Sequence, residues 1–415
     1  MIRTLIGKVC VAAAAVTLVT GPFPPYFDAR TAGKEPVIKS QGREGNCWAV
    51  SASSAIEAAL MPQEHLIFSA DHMVNRNGFI FDPDEGGDYR MIMAYLASRS
   101  GPVTESEDPY GDGESPDDLT ASVFVKEMRL FEKAEKETVK EALLQWGPVQ
   151  TSLCMDRQMT ASSRPYYNEE TSAFYCPSEE KVTHDILILG WDDDFPAENF
   201  KTTPPGDGAW ICQNTWGEKF GDDGIFYVSY DDPNIARSFL AYSRVEEADE
   251  EILCQTDPLG WIGRLGYETD TCYFANVYTA PEDGCLTSLG FYSVGPDTGY
   301  DLYFAPAAGG AFDPDDLEEC GSGKIDDAGY YTIRPDKEIF LEKGQEFAAA
   351  VRIRTTGEKK PVAVELDKDD TTAMSTLMGK NSYISRDGKE WEQTQKAFGT
   401  NVCLKAGITP AERTE

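Results

Sequence analysis

The stretch Gln41-Gly42-Arg43-Glu44-Gly45-Asn46-Cys47-Trp48-Ala49-Val50-Ser51 sets a thiol directly behind Gly-Asn, with a glutamine upstream and a helix-like run downstream. A structural thiol needs none of that neighbourhood, whereas a nucleophilic one uses all of it. Thiols attack as thiolates, yet a free cysteine is mostly protonated near neutral pH. A helix N-terminus and a nearby imidazolium both lower its pKa. The first is predicted locally: Ala52, Ala55, Ile56 and Ala59 recur at helical intervals after Trp48, and Pro62 stops the run. The second has to arrive from elsewhere in the chain.

Three histidines are available. His65 and His72 follow the helix closely, with no strand to aim them. His184 stands at the mouth of the apolar run Ile186-Leu187-Ile188-Leu189-Gly190, and a strand is a rigid platform for a general base. The other imidazole N–H needs an acceptor. Asn214 supplies one at the end of a second strand signal, with Trp216 placed to shield the Asn–His hydrogen bond from water. Gln41 can offer an amide N–H to a developing oxyanion beside the backbone N–H of Cys47. Each has a plainer reading: a buried helix cysteine, a satisfied strand-end histidine, a turn asparagine, a surface glutamine. Their combination in the order Gln, Cys, His, Asn favours the chemical one. Gly86-Gly87 fits a tight turn or an edge for substrate backbone, and Cys212 reads as core filler.

The elements that must position these residues fall into two blocks, as 415 residues lead one to expect. Residues 22–245 carry helical patterns from Trp48, near 89–98 and near 138–146. Strand signals follow at 186–190, 209–213 and 225–230, an α+β arrangement. The charge run 244–251 lacks apolar periodicity and marks a boundary. From 252 to 410, short β-rich runs at 286–293, 301–304, 330–333, 347–353, 362–365, 382–385 and 401–404 alternate with turn signals, the pattern of an all-β sandwich.

The net charge of −34 repels nucleic-acid phosphates and reads as a highly soluble extracellular or salt-tolerant surface. Residues 1–21, MIRTLIGKVCVAAAAVTLVTG, have a basic start and a short apolar stretch, as a secretory signal peptide does. That stretch is short for a membrane span, and no later segment is apolar enough to be one. A secreted or surface-retained monomer is expected. Of ten cysteines, setting aside Cys10 and Cys47 leaves eight, which permits disulfides in an exported chain. None has zinc-ligand spacing. The acidic runs at 82–88 and 192–194 read as solvated loops, since the first lacks calcium-loop spacing. Tyr300, Tyr303, Tyr330 and Trp391 read first as packing residues and second as sugar-stacking ones.

The segments Gln41-Gly42-x-x-Gly45-x-Cys47-Trp48-Ala49, His184 before its apolar strand, and Asn214-x-Trp216-Gly217 followed by Gly221-x-x-Gly224-x-Phe226 together resemble the papain-like cysteine peptidases. His184 follows Cys47 within the roughly 130–150 residues expected of that family, and Asn214 lies somewhat beyond. Gly86-Gly87 and Gly147-Pro148-Val149 extend the resemblance over residues 24–235. It implies a two-lobed fold with Cys47 on the helical lobe, His184 and Asn214 on the β-rich lobe, and protein or peptide substrate between them. Cys47 would be the nucleophile, His184 the general acid/base, Asn214 its orienter and Gln41 an oxyanion donor. Gly86, Gly87 and Trp216 would bind substrate, with no metal or organic cofactor. Paired histidines of an exopeptidase loop are missing, which favours endopeptidase activity. Glu44 stands where relatives carry a disulfide cysteine, and Cys154 with Cys176 is a candidate crosslink. Residues 22–46 are shorter than the inhibitory pro-segments of secreted relatives, which implies control from elsewhere or none. Residues 252–408 resemble the lectin-like β-domain of some bacterial members, whose name implies a glycan ligand. Two other readings stay open: a glycan-binding adhesion protein with a vestigial cleft, and an acyl transferase using the same triad.

Overall fold

The computed structural model describes residues 22–82, 85–156, 165–372 and 381–411. The expected leader 1–21 lies outside these residues, as does Asp84 of the first acidic run. Helix α1 (Cys47–Leu60) is the pivot of the first block. All its residues except Cys47 and Ala59 are buried, so it is enclosed on every side rather than striped. Its small positions, among them Ala49, Ala52, Ala55 and Ala58, let neighbouring elements approach closely. Its buried polar groups are satisfied: Ser53 donates to the Val50 carbonyl at 2.9 Å, and Glu57 accepts the Phe68 N–H at 2.9 Å and pairs with Lys39. Helices α2 (Ala70–Asn75) and α3 (Tyr89–Ala97) share its apolar core. Asp88 caps α3 by accepting the Arg90 N–H at 2.8 Å. Helix α4 (Lys136–Trp146) packs on the other lobe, where Val139 and Leu143 meet Ile186, Ile188 and Phe226.

A sheet of fourteen strands runs through the whole molecule. Its central order is Ala328–Ile333, Val123–Glu132, Ser238–Glu247, Val149–Leu153, His184–Asp192, Ala209–Gln213 and Ile225–Ser229. At one end the sheet continues into Gly284–Ser293 and Leu404–Pro410, and there it faces a seven-stranded sheet built on Thr298–Ala308, Glu346–Thr355 and Thr271–Thr279. Phe274, Phe291, Phe347, Val351 and Ile353 fill the space between the two sheets, which is the expected sandwich. Each such side chain contributes about 1.5–3 kcal/mol by leaving water.

The strand signals of the sequence appear close to where periodicity placed them, but Val123–Glu132 and Ser238–Glu247 carry no such signal. Their charges (Lys126, Glu127, Arg129, Arg244, Glu246) resemble a solvated stretch, yet each is ion-paired: Arg244 with Glu127 across the ladder at 3.0 Å and with Glu246 on its own strand, Lys126 with Glu251, and Arg129 with Asp327. The run 244–251 is therefore not an open linker. Its first half completes a strand, and Glu251 is buried against Arg99 at 2.5 Å and Lys126 at 2.8 Å. Tyr300 and Tyr330 turn out to be packing residues, against Phe291 and Tyr292, whereas Tyr303 and Trp391 flank half-buried Tyr273.

Burial raises the Glu251 carboxyl, but Arg99, Lys126 and the Ser288 hydroxyl outweigh burial and hold it at about 2. A depressed carboxylate stabilises the fold above its unfolded value and loses that contribution as pH falls through the folded one. Glu251→Gln is expected to lower stability by about 3–5 kcal/mol at pH 7, because two buried cations lose their partner. Denaturant unfolding should show the variant and the wild type converging as pH drops from about 4.5 towards 2. Coincident curves at pH 7 would refute the role assigned to this carboxylate.

Candidate active site

Cys47 is the first residue of α1, and its N-cap, Asn46, makes no side-chain capping bond. The helix therefore presents uncapped amides at its start. Backbone N–H groups of Asp185, Trp48 and Cys47 itself favour the thiolate. Two effects oppose them: burial first, then the negative charge of Asp185, which together push the thiol up to about 12. A lone thiol in this recess stays protonated, so its ionisation needs a compensating cation.

His184 opens the strand His184–Asp192 and pairs with Leu153 of the neighbouring strand, which fixes its backbone. Its Nε2 lies 2.7 Å from Asn214 Oδ1. That oxygen also accepts the Thr215 N–H at 2.7 Å, so the amide orientation is set and Nε2 must carry the proton. The Trp216 ring covers the imidazole at 4.7 Å between centroids. The Gln41 segment is laced to the Asn214 segment: the Gln41 N–H donates to the Thr215 carbonyl at 2.7 Å and the Gly217 N–H to the Lys39 carbonyl at 2.9 Å. Gln41 is 2% exposed. Its Oε1 accepts from Thr215 Oγ1 at 2.5 Å and Trp216 Nε1 at 3.1 Å, while Nε2 donates one hydrogen to the Glu44 carbonyl at 2.8 Å.

A cleft of about 1260 Å³ joins these parts, with Gln41, Cys47, Gly86, Gly87, His184 and Asp185 in its wall. Gly87 is required by close approach, since a Cβ there would sit 2.5 Å from Trp48 Cε2. Gly86 has φ +80°, which favours glycine. Asn214 and Trp216 are not among the residues lining this cleft; Trp216 covers the imidazole and donates to Gln41 Oε1 at 3.1 Å. His65 is exposed, and buried His72 bonds Tyr95 Oη at 2.7 Å; neither joins the cleft.

The sequence reading missed Asp185, Gln150 and Ser152. Asp185 accepts from Ser152 Oγ at 2.5 Å and Gln150 Nε2 at 3.0 Å, and Gln150 is itself held by the Trp48 carbonyl at 3.0 Å and Tyr242 Oη at 2.8 Å. The available signal was a charge heading an otherwise apolar strand. All nine described cysteines are free thiols, so neither the Cys154–Cys176 crosslink nor any other disulfide forms among the described residues. Asp193 accepts from Lys140 at 2.5 Å and Tyr230 at 2.7 Å, so that acidic run is an anchor rather than a solvated loop. No cluster of metal-ligating side chains occurs among the described residues.

A family model described as papain family cysteine protease matches residues 23–241, and one described as lectin like domain matches residues 253–407. Pro-cathepsin H of Bos taurus is 26% identical over 223 residues, which are 50% of this chain and 61% of that protein. Cathepsin S of Bos taurus is likewise 26% identical over 223 residues, 51% of this chain and 61% of that one. The chain thus spans 61% of the length of these curated relatives. Among solved structures it resembles the clostridial cysteine protease Cwp84 after propeptide cleavage, with a TM-score of 0.82 and 25% identity over 93% of this chain and 99% of that one. The cysteine protease and lectin-like domains of Cwp84, described as a surface layer associated protein of Clostridium difficile, give 0.81 and 24% over 94% of this chain and 90% of that chain.

Asp185→Asn removes the carboxylate charge that opposes the Cys47 thiolate, so the thiol should ionise at lower pH. The midpoint of iodoacetamide alkylation against pH is expected to move down. An unmoved midpoint would show that the charge does not reach the sulphur.

Proposed function

Because the chain belongs to the papain family of cysteine proteases, we propose that it is an endopeptidase working through a Cys47–His184–Asn214 triad with Gln41 as oxyanion donor. What carries this reading is that Cys47, His184 and Gln41 face one cleft while Asn214 fixes the imidazole from behind. The Cys47 proton passes to Nδ1 of His184, since Nε2–H is committed to Asn214 Oδ1. The resulting imidazolium is the cation that the partly buried thiolate needs. The thiolate attacks the scissile carbonyl, and its oxygen, now negative, takes hydrogen bonds from Gln41 Nε2 and the Cys47 backbone N–H. Imidazolium then protonates the leaving amine, which departs and leaves a thioester on Cys47. Water, deprotonated by His184, attacks that thioester and releases the acid product.

Substrates in this reading are proteins or peptides that thread the cleft. The basic start and apolar stretch of residues 1–21 support export, so the site of action is outside the cell or at its surface. The solved relative described as surface layer associated accords with that location. The lectin-like region 253–407 is then an accessory module with a surface glycan as its ligand.

The test compares wild type with Cys47→Ala on a protein substrate under reducing conditions, with products identified by mass. Cys47→Ala should lose activity on the order of 10⁴-fold or more, and Gln41→Ala on the order of 10²–10³-fold. Equal cleavage by wild type and Cys47→Ala would end the triad assignment. Products carrying an added amine in place of water would make the enzyme a transferase.

A further inference from the structure

Some buried carboxylates in this fold are answered by a cation. Glu57 has Lys39, Glu251 has Arg99 and Lys126, and Asp257 has Lys405. Asp185 lies in the cleft wall beside Cys47, and it has only two neutral donors, Ser152 and Gln150. No ion pair reaches it among the described residues. Lys133, Lys181 and Arg237 also line the cleft, yet none of them pairs with it, and Arg237 is engaged with Glu179. Asp185 is partly exposed in the cleft wall, yet burial pushes its carboxyl up to about 6, so a cation brought to it would favour the ionised form. Ser152 and Gln150 could be satisfied by a neutral acceptor, so they do not by themselves account for a full negative charge at this position.

The cleft wall holds apolar side chains as well as charged ones. Met91, Leu130 and Leu240 line the same cleft. Asp88 lines the same cleft and adds, after burial, to what disfavours the ionised form of Asp185. Asp88 is partly exposed and already shares its charge with Arg90 at 2.5 Å, so Asp185 is the stronger attractor. Apolar side chains and a carboxylate in the wall of one cleft suit a lysine or arginine, whose methylenes can rest on the former while the head reaches the charge.

We propose that Asp185, assisted by Asp88, is the specificity-determining residue of the cleft and selects substrates bearing lysine or arginine at the position that enters this recess. This rests on the proteolytic reading above. Recognition and chemistry are coupled here. The Asp185 charge opposes the Cys47 thiolate, so a substrate cation that neutralises it also removes part of the opposition to ionisation. A neutral side chain in the recess leaves that opposition in place.

The experiment profiles cleavage of internally quenched peptides in which each position flanking the cleaved bond is varied, followed by kcat/KM for a matched pair with arginine or leucine at the selected position. Wild type should prefer the basic side chain by about tenfold or more. In Asp185→Asn the Arg-to-Leu ratio should fall by a similar factor, and this ratio is insensitive to how much of the variant is folded. Asp88→Asn should lower the ratio less. A wild type that cleaves none of the peptides overturns the proteolytic reading and this inference with it. Cleavage with no preference for a basic side chain at any position overturns the inference alone. A preference that persists in Asp185→Asn removes Asp185 from the role.

Discussion

The 2.7 Å bond between His184 Nε2 and Asn214 Oδ1 is the interaction on which the site depends. It decides which imidazole nitrogen carries the resting proton, and therefore which nitrogen can receive one from a thiol. Asn214 can make that decision because its own orientation is fixed by the Thr215 N–H. Its backbone is held too, donating to the Gly224 carbonyl at 2.9 Å. The same short segment anchors Gln41 through Thr215 and Trp216. One loop thus sets both the tautomer of the His184 imidazole and the aim of the Gln41 amide, although the residues concerned are far apart in the chain.

Around that bond the electrostatics are in conflict. Burial and the Asp185 charge keep the sulphur neutral, while the backbone N–H groups of Asp185, Trp48 and Cys47 draw it towards the anion. In a low-dielectric recess these opposing terms are each large, so the balance shifts with any charge brought into the cleft. The net charge of −34 makes the protein as a whole a poor host for a further anion. The imidazolium therefore matters more here than it would in a basic protein. A thiolate formed without it would stand among like charges.

Cys47, His184, Asn214 and Gln41 were legible in the sequence because each sits at the end of an element with a clear period, or just ahead of one. The helix after Cys47 and the apolar strand after His184 both announce where rigid backbone begins. Asp185 was not legible as part of the site. A charge next to a histidine looks like a strand end in water, and only the packing of Gln150 and Ser152 against it shows that it points inward. The strands Val123–Glu132 and Ser238–Glu247 escaped for a related reason. Their alternation is masked by ion-paired charges, and strand pairing between residues more than a hundred positions apart leaves no local trace. Trp216 was legible as an aromatic cover, whereas its absence from the cleft wall depends on which face of His184 the ring takes.

Those unannounced strands change how the two blocks relate. The strand that carries Gln150 and Ser152 is hydrogen-bonded to Ser238–Glu247, and Thr151 Oγ1 donates to the Ser238 carbonyl at 2.8 Å. Ser238–Glu247 pairs in turn with Val123–Glu132, and that strand pairs with Ala328–Ile333 of the sandwich. A continuous ladder therefore leads from the wall of the cleft into the β-domain. Without the sandwich, Val123–Glu132 would be an unpaired edge, open to association with other chains. The Glu251 cluster locks the same junction by tying Arg99 of the helical lobe to Ser288 of the sandwich. The β-domain is thus built into the sheet that forms the catalytic lobe, and displacing it would disturb the backbone that holds Asp185 and His184 in register.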